Sequence, residues 1–169
     1  MATKKRTSAK QTARAPGRKP ATPKRKASTL RLPMQRQFDF EEAQGRFFNL
    51  RAIFEKLNAQ YFGRRIRGYR ILWGRKRRER PRETVVFGTI QEEDRIIRIH
   101  PLLDRAFVPT WFLEYVVYHE MLHSVVADRY DAQGRRVVHH SAFLEKERRF
   151  HWFRRAKTWE EENLARFLR

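Results

Sequence analysis

The sequence predicts a small α+β domain, with about four helices packed on a three-stranded sheet, after a disordered basic tail. Apolar residues recur at helical spacing on both sides of a central block of short β-prone runs, an order typical of α+β folds. The length of 169 residues suits one domain of ordinary size. We therefore divide the chain into a tail, residues 1–37, and a folded domain, residues 38–169.

The tail is distinguished by its charge. Residues 1–38 contain 12 Lys and Arg, no acidic residue, and no aromatic residue before Phe38. Such a segment buries too little apolar surface to offset the entropy of ordering, so we predict that it is disordered. Its composition resembles that of histone tails, and Lys24, Arg25 and Lys26 are typical of a non-specific nucleic-acid anchor that acts by counterion release. The alternative is an extension that serves only solubility.

A second basic block lies inside the domain. Residues 64–82 hold ten Lys and Arg and one acid, so they contribute +9 to the formal net charge of +20, while the rest of the domain is almost neutral. Tyr69 and Trp73 lie among these charges, a mixture that favours single-stranded nucleic acid, although an ordinary hairpin with core aromatics explains it equally well. The candidate nucleic-acid-binding residues here are Arg64, Arg65, Arg67, Arg75, Lys76, Arg77 and Arg78.

Composition also argues against several classes of protein. Without cysteine, the chain has no disulfides, no thiol nucleophile and no Cys-ligated zinc. No apolar run approaches the ~18–20 residues that span a bilayer, so we expect no membrane partner. The basic N-terminus lacks the apolar core of a secretory signal. We expect a cytoplasmic protein associated with nucleic acid, in a nucleoid or in chromatin, and the oligomeric state is open.

The first elements of the domain follow from periodicity and turn residues. Residues 38–62 carry apolar side chains at helical spacing, and Gly63 suits the end of a helix. Short β-prone runs follow at 69–73, 84–90 and 95–100. A polar turn joins the last two runs, which indicates a hairpin.

The second half of the domain is predicted to be helical. Residues 110–126, with Thr110 as the N-cap, are apolar on nearly every side, which indicates a helix buried in the core. A polar turn at 131–134 precedes a helix predicted over 141–155. A capping-box pattern that begins at Thr158 indicates one more helix.

The candidate metal-binding and catalytic residues lie in an HExxH motif in the middle of the most apolar predicted helix. His119 and His123 are four residues apart, so both imidazoles face the same way and can bind one ion. Zinc suits imidazole nitrogen, and with three protein ligands it keeps a position for water, which Glu120 can deprotonate for attack on a carbonyl. Core hydrogen bonds alone would also accommodate the two histidines, but an uncompensated buried carboxylate is costly.

A third zinc ligand has to come from elsewhere in the chain. The turn at 131–134 lets the chain reverse and bring residues 139–140 back to the motif. Spacing alone does not choose between His139 and His140. The complete set of candidates is His100, His139, His140, Glu145, Glu147 and His151.

Five stretches of the domain are similar to those of a known family. They are LNAQYFGRRI (57–66), ILWGRK (71–76), RIIRIHPLL (95–103), YHEMLH (118–123) and HHSAF (139–143). These stretches resemble the SprT-like zinc metalloprotease domain, to which Spartan is related, over roughly residues 45–155. The resemblance implies a zincin-like fold in which the third strand flanks the cleft and an edge strand there pairs with an extended peptide.

The resemblance also implies roles for individual residues. It makes His119, His123 and His139 the zinc ligands and Glu120 the general base of a hydrolase that acts on proteins. In some relatives these proteins are crosslinked to or bound on DNA.

One position departs from the family pattern. His139 stands four residues before Phe143, as the third ligand of the family stands before an aromatic residue, but His140 occupies the position where the family commonly has glycine. His140 is therefore a candidate donor to a zinc ligand or to an oxyanion. Tyr130 is a weaker candidate for the same role.

The sequence therefore predicts a zinc-dependent metalloprotease localised to nucleic acid by its tail and by residues 64–82. The alternative is a nucleic-acid-binding protein with a structural, non-catalytic zinc site, which needs a fourth protein ligand such as His140 or Glu145. A zinc hydrolase acting on a non-protein amide is a third hypothesis.

Overall fold

A computed structural model describes residues 42–75 and 84–168 of the chain. The predicted tail, residues 1–37, lies outside the described residues, as does the beginning of the first predicted helix. Six of the candidate nucleic-acid-binding residues also lie outside them: Lys24, Arg25, Lys26, Lys76, Arg77 and Arg78.

The described residues form five α-helices and a three-stranded sheet, with a 3-10 turn at Pro101–Leu103 and a small hairpin. The helices are α1 (Leu50–Phe62), α2 (Thr110–His123), α3 (Ser141–Glu147), α4 (Phe153–Asn163) and α5 (Ala165–Leu168). The strands are β1 (Arg70–Trp73), β2 (Gly88–Gln91), β3 (Ile96–Ile99), β4 (Arg129–Tyr130) and β5 (Arg136–Val137). The predicted α+β class is confirmed, with one helix more than expected. None of the described helices has the length and apolar character to cross a membrane.

The three-stranded sheet has the order β1-β3-β2. The central strand β3 runs parallel to β1 and antiparallel to β2, with Ile97 opposite both Ile71 and Ile90. Three of its four side chains are buried, as a central strand requires, whereas β2 is partly exposed. The cavity beside His119 and His123 is lined by β2 and not by β3, so the expectation that the third strand flanks the cleft is wrong.

The first helix starts later than its periodicity predicts. Of the range predicted as one helix, 38–62, the described residues 42 and 43 are helical, residues 44–49 are not, and α1 begins at Leu50. The Asp104 carboxylate accepts hydrogen bonds from the backbone N–H groups of residues 46–48, at 2.5, 2.8 and 3.3 Å, and holds them in a turn. The Asn49 side chain then caps the helix by accepting a hydrogen bond from the backbone of its first turn at 3.0 Å. A carboxylate 58 residues away along the chain thus sets the helix boundary.

Helix α2 lies in the centre of the hydrophobic core. Ten of its 14 residues are buried, as its apolar sequence predicts. Thr110 is not its N-cap, however. The carbonyl of Pro109 accepts the first hydrogen bonds of the helix, from Phe112 at 3.0 Å and Leu113 at 3.2 Å, so Thr110 is the first helical residue.

The helix predicted over 141–155 is broken in two. Tight i→i+3 hydrogen bonds from Phe150 to Glu147 and from Phe153 to Phe150, at 3.1 and 3.0 Å, separate α3 from α4. The break leaves both Glu147 and Phe150 buried. The capping box at Thr158 is wrong as well, because that residue lies inside α4.

Candidate metal centre

Three histidines converge on one point between α2 and the β4–β5 hairpin. His119 and His123 face the same side of α2, and the hairpin returns the chain so that His139 reaches them. The three Nε2 atoms are 3.1, 3.3 and 3.3 Å apart. Nitrogens bound at about 2.0–2.1 Å to one tetrahedral zinc ion lie about 3.3 Å from one another, so the spacing fits such an ion. The group can hold a metal ion.

The β4–β5 hairpin fixes the position of the third histidine. The Asp131 carboxylate accepts two backbone hydrogen bonds within its own turn, both at 2.9 Å. Gly134 closes that turn at φ 75°, in the left-handed region that favours glycine. Asp128 and Arg136 form an ion pair across the hairpin. These contacts set the chain direction from which His139 approaches α2.

A buried carboxylate orients the first histidine. His119 donates a hydrogen bond through Nδ1 to Glu147 Oε1 at 2.7 Å, and the Tyr115 hydroxyl donates to the same oxygen at 2.8 Å. Burial opposes the charge on Glu147, but the hydrogen bonds from His119 and Tyr115 hold its pKa below the usual value. Because Nδ1 carries the proton, the lone pair of His119 is on Nε2 and faces the other two rings.

One phenylalanine packs against all three imidazoles. Phe143 on α3 is fully buried, and its ring centroid lies 5.1 Å from His119, 4.5 Å from His123 and 4.8 Å from His139. It restricts the rotamers of all three rings by packing. The same aromatic position marks the third ligand in the HHSAF stretch.

Glu120 is placed for proton transfer beside the histidines. Its side chain is only 6% exposed, and burial raises its pKa to about 7, with His119 acting in the opposite direction. On the facing strand β2, a Cβ at Gly88 would lie 2.5 Å from Glu120 Oε1. Glycine at this position therefore leaves the space that the carboxylate occupies.

His123 and His139 are held in the neutral form that binds metals. Burial, followed by the neighbouring His119 and His139, lowers the pKa of His123 to about 4. Burial, again with His119, lowers the pKa of His139. Protons therefore compete weakly with a metal ion for these two ligands at neutral pH.

The centre opens into a cleft of about 1170 Å³. Strand β2 forms one wall, the β4–β5 hairpin another, and Tyr130 lines the cleft with 70% of its surface exposed. Its predicted role towards an oxyanion stays a prediction.

The two proposed fourth ligands make contacts elsewhere. His140 donates a hydrogen bond through Nε2 to the Ala127 carbonyl at 3.0 Å, and Glu145 pairs with Arg149 at 2.7 Å. In the part of the chain that the structure describes, the group close enough to share one ion consists of three histidines. This arrangement leaves room for a water or a substrate atom at a fourth position.

The remaining candidates do not join the centre. Arg64, Arg65, Arg67 and Arg75 are exposed, but Tyr69 and Trp73 pack half-buried against the core. The two rings thus behave as core aromatics. His100 Nδ1 accepts a hydrogen bond from the Leu102 backbone at 3.1 Å, and His151 lies at the surface against Trp152.

Glu147 is the contact that sequence analysis missed. We considered it as a ligand, whereas the structure places it behind His119. Its 28-residue separation from that histidine gives no pattern in the sequence. A buried acid on the helix that follows a third histidine would have been the only signal.

Comparisons of the chain with protein-family models, with curated proteins and with solved structures find no match. The resemblance to the SprT-like family therefore stays a prediction.

Proposed function

We propose that this chain is a zinc-dependent peptidase in which Glu120 is the general base. One observation carries the proposal: three histidine Nε2 atoms converge within 3.3 Å of one another beside a buried carboxylate, in an open cleft. A general base needs a pKa near the working pH and access to the attacking water. The pKa of about 7 for Glu120 and its position next to His119 agree with both needs.

The donor set favours zinc. It consists of three imidazole nitrogens, and the chain has no thiolate to offer. Three protein ligands with an open fourth position are typical of catalytic zinc, while structural zinc is usually enclosed by four. A bound zinc ion would supply Lewis-acid chemistry, lowering the pKa of a water and polarising a carbonyl.

The residues of the chain divide the remaining work. Glu120 takes a proton from the attacking water and gives it to the leaving nitrogen as the amide bond breaks. Glu147 holds the His119 ring in one orientation through its 2.7 Å hydrogen bond. Gly88 keeps space open next to the Glu120 carboxylate.

The cleft favours an extended peptide as substrate. Strand β2 lies at the edge of the sheet, and among the described residues no further strand pairs with it. A peptide could therefore add to this edge through main-chain hydrogen bonds and pass the three histidines. Localisation to nucleic acid completes the proposal, because the basic tail and residues 64–82 carry the excess positive charge.

Glu120→Gln tests the proposed chemistry. We expect zinc near one equivalent in both proteins, and peptidase activity on casein or histones reduced about 100- to 10,000-fold in the variant. Glu114→Gln is the matched control, since Glu114 is also buried on α2 but bonds Lys56 at 2.6 Å, away from the histidines. Cleavage by Glu120→Gln at the wild-type rate would refute the mechanism.

The substrate panel separates the competing hypotheses. It contains casein, histones and DNA-bound proteins, each with and without DNA. A purified chain that holds zinc and binds DNA but cleaves none of them would favour the structural zinc site. Stimulation by DNA that fades as salt rises would tie the activity to the basic segments.

A further inference from the structure

A second cavity lies on another face of α2. It measures about 550 Å³, and its apolar part is formed by Tyr61, Phe62, Tyr118, Leu122 and Val125. The metal-binding histidines do not line it. Val125, which lies just after the end of α2, is 44% exposed and places an apolar side chain at this cavity.

Three cationic side chains surround this apolar part of the cavity, which we call the apolar floor. Arg65 comes from the loop after α1, Lys146 from α3 and Arg149 from the turn after α3. Arg149 pairs with the exposed Glu145, and such a surface pair contributes little stability. No ion pair among the described residues involves Arg65 or Lys146. We call these eight lining residues the basic pocket.

The conformation of the loop that carries Arg65 is fixed by a side chain of α1. The buried Asn58 side chain donates to the Ile66 carbonyl at 2.8 Å and accepts from the Ile66 N–H at 3.2 Å. Gly63 and Arg64 turn the chain with φ of 56° and 60°. The cation is therefore presented by an ordered turn against α1.

Charge narrows the choice of occupant. The tail of this chain carries 12 positive residues and no acid before residue 39, so the basic pocket repels it. A second copy of the chain, at a net charge of +20, is repelled as well. The occupant must be anionic, and the aromatic floor calls for a flat apolar part next to the anion.

From these observations we infer that the basic pocket binds a nucleotide unit of single-stranded nucleic acid. The base lies on the apolar floor, and the neighbouring phosphates lie near Lys146 and Arg149. Aromatic rings flanked by cations are the combination that single strands use, with stacking for the base and charge for the backbone. The inference rests on the part of the proposed function that localises the chain to nucleic acid.

The position of the basic pocket has a consequence for the peptidase. The pocket and the cleft occupy different faces of α2, so a bound single strand does not cover the histidines. A protein attached to that strand could reach the cleft while the strand stays bound.

The test compares two neighbouring arginines in the full chain. Arg149 lines the pocket, whereas Arg148 is also exposed, is its neighbour in the chain and lies outside the pocket. Anisotropy of a labelled 12-nucleotide single strand is measured over a series of salt concentrations. We expect Arg149→Glu to weaken binding about 10-fold more than Arg148→Glu, and to flatten the salt slope by about 0.7 for the lost phosphate contact.

Equal losses of affinity in the two variants would contradict binding in the basic pocket, because they would indicate diffuse attraction to surface charge. Absence of any binding by the wild-type chain would instead refute nucleic-acid localisation as a whole. Zinc content is measured in parallel and should be the same in all three proteins. The affinity for an oligo-glutamate peptide is measured as well. If the peptide binds as tightly as the single strand and loses the same affinity in Arg149→Glu, the occupant is an acidic protein partner and not a nucleotide.

A crosslink tests the apolar floor without altering the fold. The same strand carrying 5-bromouracil is irradiated on the wild-type chain, and the modified peptides are identified by mass spectrometry. We expect modification at Tyr61, whose ring is half-buried whereas Tyr118 is only 3% exposed, and a reduction of at least several-fold in Arg149→Glu. Crosslinks confined to residues 1–41 would contradict the inference.

Discussion

Helix α2 and the β4–β5 hairpin contribute the same kind of side chain to the metal centre by different means. His119 and His123 stand on a buried helix whose geometry alone brings them together. His139 is exposed, and its position depends on a turn built from Asp131 and Gly134. The comparison indicates that the helix fixes the positions of two ligands, while the conformation of the hairpin determines whether the third ligand joins them.

The largest effect is expected from replacing His119 or His139, because the two ligands contribute differently to the stability of the fold. Both His119→Ala and His139→Ala should lose stoichiometric zinc. In the zinc-free protein, however, His119→Ala also leaves the buried Glu147 without one hydrogen-bond donor, which costs about 1–3 kcal/mol of unfolding free energy. His139→Ala removes an exposed ring and should cost much less. Urea unfolding of both variants with chelator present measures the difference, and equal losses would contradict this division of duties.

Glu147→Gln should weaken metal binding without removing a ligand. The amide cannot accept as strongly from His119 Nδ1, and the loss of such a supporting partner costs about 10–100-fold in affinity. Tyr115→Phe is the control, since it keeps the carboxylate and removes only the 2.8 Å hydrogen bond from the hydroxyl. We expect a loss of a few-fold there. Zinc affinity comes from competition with a coloured chelator, and an unchanged value in Glu147→Gln would show that the contact is only structural.

The same contrast explains what the sequence could predict. HExxH spacing places His119, Glu120 and His123 because a helix has a fixed period. The choice between His139 and His140 could not be made from spacing, since a shift of one residue in the hairpin exchanges them. Glu147 could not be assigned either, because its position depends on the break between α3 and α4.

Hydrogen-bonded turns explain why the helix boundaries were predicted wrongly. The late start of α1 depends on Asp104, which lies in a different part of the chain. In the predicted helix over 141–155, Phe143, Phe150 and Phe153 stand at helical spacing, and this pattern does not reveal the turn that buries Phe150. Periodicity predicts which segments are helical, but a distant carboxylate sets where α1 begins, and local i→i+3 hydrogen bonds separate α3 from α4.

Gly88→Ala should disturb the base on α2 and leave the three histidines alone. The added methyl would lie 2.5 Å from Glu120 Oε1, so the carboxylate has to move. Misplacing a reacting group by about 1 Å costs as much as 100-fold in rate. Gly74→Ala, directly after β1 on the opposite side of the sheet order, is the control, because its new Cβ would find its nearest atom at 3.4 Å. We expect peptidase activity to fall in Gly88→Ala at unchanged zinc affinity; parallel losses of both would place the glycine in the metal site.

The smallest expected effect tests whether hairpin order is coupled to metal binding. Gly134 has φ 75° with open space around it, so Gly134→Ala strains the backbone by about 1 kcal/mol without a clash. If the zinc-free hairpin relieves that strain by opening, the full strain is felt only when His139 binds, and zinc affinity falls about fivefold. Gly63→Ala carries the same kind of strain at φ 56°, but in the loop after α1. It should lower the unfolding free energy and leave zinc affinity unchanged. An unchanged affinity in both variants would mean that the hairpin is as preorganised as the helix.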